Sequence, residues 1–472
     1  MSLWCKRQRA RAVPLFLLAA LGSSCQTIEV SQPPIQVETS ASYKAPVAKR
    51  GAVSSTWWRR FNDPELNRLQ RSIPRQNQSL AAAYARYQQS LAALGISRAN
   101  LYPRVDGEAS ITRSRLSQNG QFGGIGDNYL TLYSVGAQLG YEVDLWGRVR
   151  AIVQNSTALA QNADFQVSDT LLSLQTQLAA NYFALRFLDS EAAVLRKAVE
   201  TRQETLDLAN LRLEAGFTSA LDASRARTLL ADAQAELRSI AGPRAQLENA
   251  IAVLAGRNAS NFSIAARAYN GTIPTVPVSS QGALLSRRPD LAAAERRLAA
   301  SSARIGIAKA DFYPRLQLTG AAGLSSIDRR TFLEATSRTF SFGPNVTLPL
   351  FRGGELKANL AQARAEQKEA LHAFQNNALQ AFAEVESALA SLAALKSEAE
   401  ARSRSLSSAQ KSFELADLRY REGTDSYLNV VDAQRELLTA QRANVRTRGR
   451  RFSSTIELYR ALGGGFDRLP RK

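Results

Sequence analysis

The sequence predicts an α+β membrane protein in which each chain is a tandem structural repeat of strand pairs and long helical hairpins. Three observations point to that class. Three groups of residues recur, in the same order and at nearly the same offset, in the two halves of the chain. Within each half the hydrophobic period switches between the two-residue alternation of strands and the three-and-four spacing of packed helices. The strand segments also number only four, whereas a closed membrane barrel takes at least about 8. A chain with so few spanning strands leaves open edges, which hydrocarbon does not tolerate. Several chains must therefore share one barrel, and three would supply twelve strands.

The first element is residues 1–24. Lys6, Arg7, Arg9 and Arg11 precede an apolar stretch over 12–21, then Gly22, Ser23 and Ser24 lead to Cys25. A basic flank, an apolar core and small residues in that order are the parts of a secretory signal peptide. A cysteine directly after the small residues resembles the lipobox at which bacterial lipoproteins are cleaved and acylated, although Gly22 stands where such boxes usually have Leu. The expected product is a lipidated Cys25 followed by an extended segment over 25–60. Bacterial lipoproteins generally use Asp after the cysteine for inner-membrane retention. Gln26 stands there, so sorting to the outer membrane and its lipid is expected. Cys5 would leave with the signal, so the mature chain can form no internal disulfide. The acyl and diacylglycerol groups on Cys25 are the only non-protein groups expected, and no cofactor is.

The two repeats divide the remainder into 61–275 and 276–472. Leu208-Ala-Asn-Leu-Arg-Leu-Glu-Ala-Gly216 and the following Ser219-Ala-Leu-Asp return as Leu415-Ala-Asp-Leu-Arg-Tyr-Arg-Glu-Gly423 and Ser426-Tyr-Leu-Asn. Gly95-Ile-Ser-Arg-Ala-Asn-Leu-Tyr-Pro-Arg104 matches Gly306-Ile-Ala-Lys-Ala-Asp-Phe-Tyr-Pro-Arg315. Leu145-Trp-Gly-Arg-Val-Arg-Ala151 matches Leu350-Phe-Arg-Gly-Gly-Glu-Leu-Lys-Ala358 with two residues inserted.

Strands follow the second of these motifs. Val105, Gly107, Ala109 and Ile111 alternate with Asp106, Glu108, Ser110 and Thr112, and a second alternation runs from Tyr129 to Tyr141, which gives a β-hairpin over 104–143. In the second repeat Leu316, Leu318 and Leu324 alternate with Arg315, Gln317 and Thr319. Phe340, Phe342, Val346, Leu348 and Leu350 then alternate with Ser341, Gly343, Asn345 and Thr347, giving strands over 315–324 and 339–350. Loops lie between them at 117–127, rich in glycine and polar residues, and at 325–338. Strands of this length suffice for a bilayer, which needs about 9–11 tilted residues, and aromatics mark their ends. Alternation by itself is also compatible with a half-buried soluble sheet, the lesser of the two readings. After the N-terminus no uninterrupted apolar run of about 18 residues occurs, so any crossing is assigned to strands.

Long helices fill the rest. No proline interrupts the stretches 151–213 and 355–422. In the first, Leu171, Leu174, Leu178, Asn181, Leu185, Leu188, Ala192, Leu195 and Val199 step by three and four, the spacing of coiled-coil seams. At 1.5 Å per residue such helices run roughly 90–100 Å from the strands to their far ends. There Gly216 and Gly423 would let each chain reverse into a returning helix, making two hairpin tips.

Net charge is +19, and four of these charges belong to the signal. Nucleic acid is the partner a basic chain suggests. Here the basic residues are spread over many helical faces and interleaved with acidic ones, the one local cluster being Arg446, Arg448, Arg450 and Arg451, so no nucleic-acid partner is expected. The sole histidine, His372, falls mid-helix and is expected to be solvated. That leaves little for a histidine triad or a histidine-rich metal site. Gly123, Gly124 and Gly126 lack the Gly-Lys-Ser/Thr of a phosphate loop. No catalytic residue and no metal site is assigned.

Five further motifs then find a common home: Trp57-Trp-Arg-Arg-Phe-Asn-Asp63, Asp144-Leu-Trp-Gly-Arg148, Arg288-Pro-Asp-Leu-Ala-Ala-Ala-Glu-Arg-Arg297, Phe342-Gly-Pro-Asn-Val-Thr-Leu-Pro-Leu-Phe351 and Leu458-Tyr-Arg-Ala-Leu-Gly-Gly-Gly-Phe466. With them the chain resembles, over nearly its whole mature length, the outer membrane factor family: TolC-like lipoproteins of the NodT type that serve resistance-nodulation-division efflux pumps. The resemblance implies a homotrimer with a twelve-stranded outer-membrane barrel continued by a twelve-helix periplasmic tunnel that closes at its inner tip. It implies a periplasmic adaptor protein engaging the tips near Gly216 and Gly423, and an inner-membrane pump behind it. Tyr420 matches a tyrosine that helps hold the tip closed. Asp425, Asn429 and Asp432 fall where family members place constriction residues, with Asn429 standing where the best-known member has Asp. Passive conduction of small molecules is the expected function. The exit duct of a type I protein secretion system shares this fold, and a non-conducting, lipid-anchored periplasmic scaffold would share the helices.

Overall fold

The computed structural model describes residues 31–40, 42–47, 49–117 and 129–466. The signal segment, Cys25 and the glycines at 123, 124 and 126 lie outside the described residues. Four strands form one antiparallel sheet in chain order: β1 (Arg104–Arg115), β2 (Tyr129–Val143), β3 (Arg315–Ser326) and β4 (Arg338–Thr347). The last strand stops at Thr347, short of the 350 expected from alternation, because Thr347 is already paired with Arg315, the first residue of β3, and no strand is left for 348–350 to pair with. β3 runs two residues beyond its expected end at 324.

Register fixes the faces of this sheet. Ile111 is paired with Tyr133, Ala109 with Val135, Tyr141 with Leu318, Gly320 with Phe342 and Leu316 with Val346. Directly paired residues share a face, so these residues form one apolar surface across all four strands. Asp106, Glu108, Gln138, Glu142, Gln317, Thr319, Ser341 and Asn345 fall on the other. Both faces have residues open to solvent: on the apolar face Ile111 is 72% exposed and Phe340 is 89% exposed, and on the polar face Asp106, Glu108 and Ser341 are exposed. Among the described residues the outer edges of β1 and β4 have no strand partner.

The helices are α1 (Pro64–Gln76), α2 (Gln78–Ala99), α3 (Arg148–Glu214), α4 (Ala220–Ser239), α5 (Ala241–Leu254), α6 (Gln281–Arg287), α7 (Pro289–Ala310), α8 (Glu355–Arg421) and α9 (Tyr427–Ala461). Both α3 and α8 have 67 residues, about 100 Å each at the α-helical rise. The two repeats differ in the returning arm. α9 is continuous, whereas its counterpart breaks at Ile240 into α4 and α5, where Pro243 removes a donor and its ring opposes the carbonyl four residues earlier.

Compactness does not follow the repeats at 61–275 and 276–472. One compact unit draws on Tyr87–Asn162 and Ala294–Phe374, and a second on Gln36–Arg86, Ala163–Ala293 and the residues from Gln375 onward. Each unit mixes both halves because β2 of one repeat pairs with β3 of the other and their helices share cores. In the first unit Trp146 stacks on Tyr313 at 4.9 Å and donates to the Pro314 carbonyl, anchoring the sheet's helical end.

The second unit is built around the middle of α3. Leu174, Leu178, Leu185, Ala192 and Leu195 of the expected seam are buried, and Leu171, Asn181, Leu188 and Val199 are half-buried. Tyr182, Phe183, Arg186, Phe187 and Asp189 between them are buried as well, so this stretch is enclosed on more than a seam. A 3-10 turn, Trp57–Phe61, provides part of the cover: Trp57 stacks on Tyr459 at 4.9 Å and Phe61 meets Phe183 at 4.8 Å. Asp63 then caps α1 by accepting from the Glu65 and Leu66 amides, and Arg267 pairs with its other oxygen at 2.8 Å. Arg186, nearly fully buried, donates to Tyr182 Oη and the Ala265 carbonyl and pairs with Asp189, which also binds Arg244. Arg288, of the Arg-Pro-Asp motif, bridges Asp290 and Glu384.

One expectation is corrected here. α8 contains an 18-residue window of mean hydropathy 1.3, long and apolar enough to cross a membrane by length and composition alone. Interruptions by polar residues hide it from a search for unbroken apolar runs. Its buried residues Phe374, Ala378, Ala381, Val385 and Ala388 step by three and four, and Glu384 answers Arg288, which are the features of a packed helix. His372 lies on α8 and is exposed.

Candidate functional site: the paired helix tips

Each long helix ends in the same Schellman turn. Gly216 (φ +74°) donates to Leu213 O, and Phe217 to Arg212 O. Gly423 (φ +76°) donates to Tyr420 O, and Thr424 to Arg419 O. A positive φ is nearly free only for glycine, which is why both turns carry one. Ser219 caps the returning helix α4 by accepting from the Asp222 amide, and Ser426 holds the N-cap position of α9 without a side-chain bond.

The tips pack on each other through a shared core. Leu206, Ala209, Ala226, Leu229 and Leu230 from the first hairpin meet Tyr420, Tyr427, Val430 and Val431 from the second. Tyr420 is 4% exposed, with its ring 5.3 Å from that of Tyr427. Arg212 closes the core from the α3 side. Its guanidinium lies over the Tyr420 ring at 4.4 Å and donates to the Tyr420 and Arg421 carbonyls at 2.8 and 2.9 Å. Those carbonyls are among the last four of α8, which have no partner within the helix. Arg202 is buried one layer deeper and donates to Leu229 O, and Gln434 donates to Thr205 Oγ1. Burial pulls the Arg202 guanidinium below its ordinary range. Burial, and secondly the neighbouring Tyr420, pushes the Tyr427 phenol up to about 12.

Of the expected constriction residues, Asp425 is half-buried in the turn, while Asn429 and Asp432 are exposed on the first turns of α9. A spacing of three puts Asn429 and Asp432 on one face of α9, with Asp425 in the turn before it. Asn429 Nδ2 donates to Asp425 Oδ1 at 2.6 Å, and the Ser426 amide donates to the same oxygen at 2.7 Å. The first tip contains the same bond with donor and acceptor exchanged: Thr218 donates to Asp222 Oδ2 at 2.9 Å. Asp432 lines a shallow groove of about 440 Å³ with Arg402, Arg435 and Glu436. Thus Tyr420 is set apart from the other three: it is buried between the hairpins, and they are on the surface.

Sequence reasoning missed Arg212, Tyr427, Arg202 and the Gln434–Thr205 bond. A signal for Tyr427 lay in the repeat itself, whereas Arg212 aligns with Arg419 and does not stand out. Aligning the tips puts Leu213 opposite Tyr420 and Ala220 opposite Tyr427, so the second tip alone gained two aromatic rings. Leu213 is 36% exposed, in contrast to the burial of Tyr420. Among the described residues no cluster of three or more His, Cys, Asp or Glu side chains is placed to hold a metal.

Comparison with known proteins agrees with this architecture. A solvent efflux pump outer membrane protein, SrpC of Pseudomonas putida, is 31% identical over 468 residues, covering 97% of this chain and 98% of its own. Outer membrane protein OprJ of Pseudomonas aeruginosa is 30% identical, covering 98% and 97%. Among solved structures, the CmeC outer membrane channel of Campylobacter jejuni superposes with a TM-score of 0.87 over 94% of this chain and 96% of its own, at 24% identity, which speaks to fold alone. The open-state MtrE channel of Neisseria gonorrhoeae gives 0.81 over 93% and 98%, at 27% identity. The family profile described as "Outer membrane efflux protein" matches residues 71–257 and again 282–464, one match in each repeat. With an open sheet apolar on one face, two 67-residue helices and both matches in place, the chain belongs to the outer membrane efflux protein family.

Proposed function

We propose that this chain is the outer-membrane exit duct of a tripartite efflux pump, conducting small molecules passively and catalysing nothing. The observation that carries the reading is the four-stranded sheet: one exposed apolar face, one polar face and two edges that no strand among the described residues pairs. In water such a surface would aggregate; in lipid, with edges joined between chains, it is a barrel wall. Three chains give a twelve-stranded barrel with the apolar face toward lipid and the polar face lining water, and their helices continue it as a periplasmic tunnel. Relatives named for solvent, toluene, antibiotic and pyoverdine export support small molecules as cargo. A periplasmic adaptor holds the tips near Gly216 and Gly423, with a resistance-nodulation-division pump behind it, and an acylated Cys25 adds a lipid anchor.

The gate in this reading is the tip. Tyr420, clamped by Arg212, holds the two hairpins of one chain together. Asp425, Asn429 and Asp432 present a polar face which three-fold symmetry repeats around the mouth. Carboxylates brought together in that way focus a negative field and favour cations. Native mass spectrometry of detergent-extracted protein tests the assembly. A trimer with acyl mass on the N-terminal peptide is the expected result. A bare monomer would remove the basis for a shared barrel.

A further inference from the structure

The two faces of the sheet differ in where they place charge. Every carboxylate in the four strands, on Asp106, Glu108 and Glu142, lies on the polar face. There each has a partner: Arg104 pairs with Asp106, Arg148 pairs with Glu142, and Gln138 donates to Glu108. On the apolar face the only charged residues are Arg113, Arg115 and Arg338. Arg113 and Arg115 follow Val105, Ala109 and Ile111 in the same parity, and Arg338 pairs with Leu324 in line with Phe340 and Phe342. Each stands at the end of its strand that leads into a hairpin loop, remote from the helices. Among the described residues none of the three takes part in an ion pair, and the β3–β4 loop adds exposed Arg329 and Arg330.

We infer that these arginines form a collar on the lipid-facing side of the barrel that binds the phosphate groups of anionic lipids in the outer leaflet. The inference rests on the membrane reading above and identifies its lipid partner. Position along the strand agrees with it. Arg115 lies ten residues beyond Val105, ~33 Å of strand, which a tilt of about 40° reduces to ~25 Å, the height of the apolar band of such barrels. The collar therefore falls at the headgroup level and not in hydrocarbon, where arginine would be costly.

Local chemistry agrees as well. Arg113 and Arg115 lie over the Tyr129 ring at 5.3 and 5.7 Å. A ring takes the flat face of a guanidinium and leaves its in-plane N–H donors free, the donors that a phosphate accepts in pairs. Tyr129 thus stiffens two long side chains without satisfying them. Arg113 and Arg115 belong to one edge strand and Arg338 to the other, so joining β4 to β1 of a neighbouring chain brings arginines from two chains to each seam. The opposite end of the apolar face, at Val105, Tyr141, Val143, Leu316 and Val346, has no charge. The collar is one-sided, as binding to a single leaflet requires.

The test uses the full protein in a neutral maltoside detergent, with native mass spectrometry reading bound bis-phosphorylated lipid A against its dephosphorylated form. The parent is expected to prefer the phosphorylated lipid. R113Q/R115Q/R338Q should bind it roughly hundredfold more weakly, at about tenfold or less per lost arginine, while binding the dephosphorylated lipid as the parent does. R113K/R115K/R338K should retain most of the preference, and R104Q, on the polar face, all of it. Equal binding of the two lipids by the parent, or an unchanged preference in the triple Gln variant, overturns the inference. Flotation with phosphatidylcholine vesicles separates the two levels. Parent protein that floats but shows no phosphate preference refutes the collar alone, and protein that does not float refutes the membrane reading with it.

Discussion

Tyr420 offers the sharpest test of the gate, because the structure separates what its ring does from what its hydroxyl does. The ring is buried in the core joining the two tips, beside Tyr427 and beneath Arg212. The hydroxyl is buried and meets no partner among the described residues. Tyr420→Ala deletes a buried aromatic, a change that costs about 3–5 kcal/mol in a core that cannot collapse. The cation–π contact adds about 0.5–1 kcal/mol, though the two losses overlap. If about 3 kcal/mol of this holds the hairpins together, the closed-to-open ratio of each tip falls by roughly two orders of magnitude. Tyr420→Phe keeps the ring and removes an unpaired hydroxyl, so it should be close to neutral. The assay is single-channel recording of the purified protein in planar bilayers. Tyr420→Ala should conduct more than the parent and Tyr420→Phe should match it. Parent-like conductance in Tyr420→Ala would refute the placement of the gate, and raised conductance in Tyr420→Phe would refute the assignment of its strength to the ring.

Further outcomes follow from other parts of the fold. Asp425→Ala removes the acceptor shared by the Ser426 amide and Asn429, so conductance should rise in the same assay, by less than for Tyr420→Ala, since exposed hydrogen bonds contribute about 1 kcal/mol each. Gly423→Ala meets open space but must hold φ at +76°; a loss of about 1–2 kcal/mol is expected, read as earlier hydrogen exchange of the tip amides. Asp63→Ala leaves α1 uncapped and Arg267 without its carboxylate, which should lower the thermal midpoint by the equivalent of about 2 kcal/mol. Although burial pushes the Glu191 carboxyl up, hydrogen bonds from Arg446 and Arg442 outweigh it and hold it below its ordinary 4.5. A depressed folded-state value means stability that is present above pH 4.5 and lost as pH falls through the folded value. Unfolding midpoints should drop in that acid range for the parent and vary less for Glu191→Gln.

Much of this protein was written locally. Strand parity needs only alternating residues, and it set the faces of Val105–Ile111 and Leu316–Leu324 correctly because a period of two leaves no other choice. The Gly216 and Gly423 turns were legible because φ near +75° excludes most other residues, and repetition gave each turn a second witness. The seam on α3 was legible only in part. Leu178 and Leu195 lie where the spacing put them, but Tyr182, Arg186 and Asp189 are buried by Trp57–Phe61, Ala265 and Tyr269, segments far away in the chain. A hydrophobic period cannot report cover that arrives from elsewhere, least of all over an arginine.

The tip shows the same division. The resemblance singled out Asp425, Asn429 and Asp432, and the bond from Asn429 to Asp425 is a local matter of residues four apart. Tertiary structure alone decided that Tyr420 is buried while Asn429 and Asp432 are exposed, and that Arg212, 208 positions away in the chain, supplies the partner for its ring and for two helix-end carbonyls. Those carbonyls have no local partner by the geometry of any α-helix. What satisfies them depends on which distant helix the fold brings alongside, and that is determined by packing and not by the residues next to them.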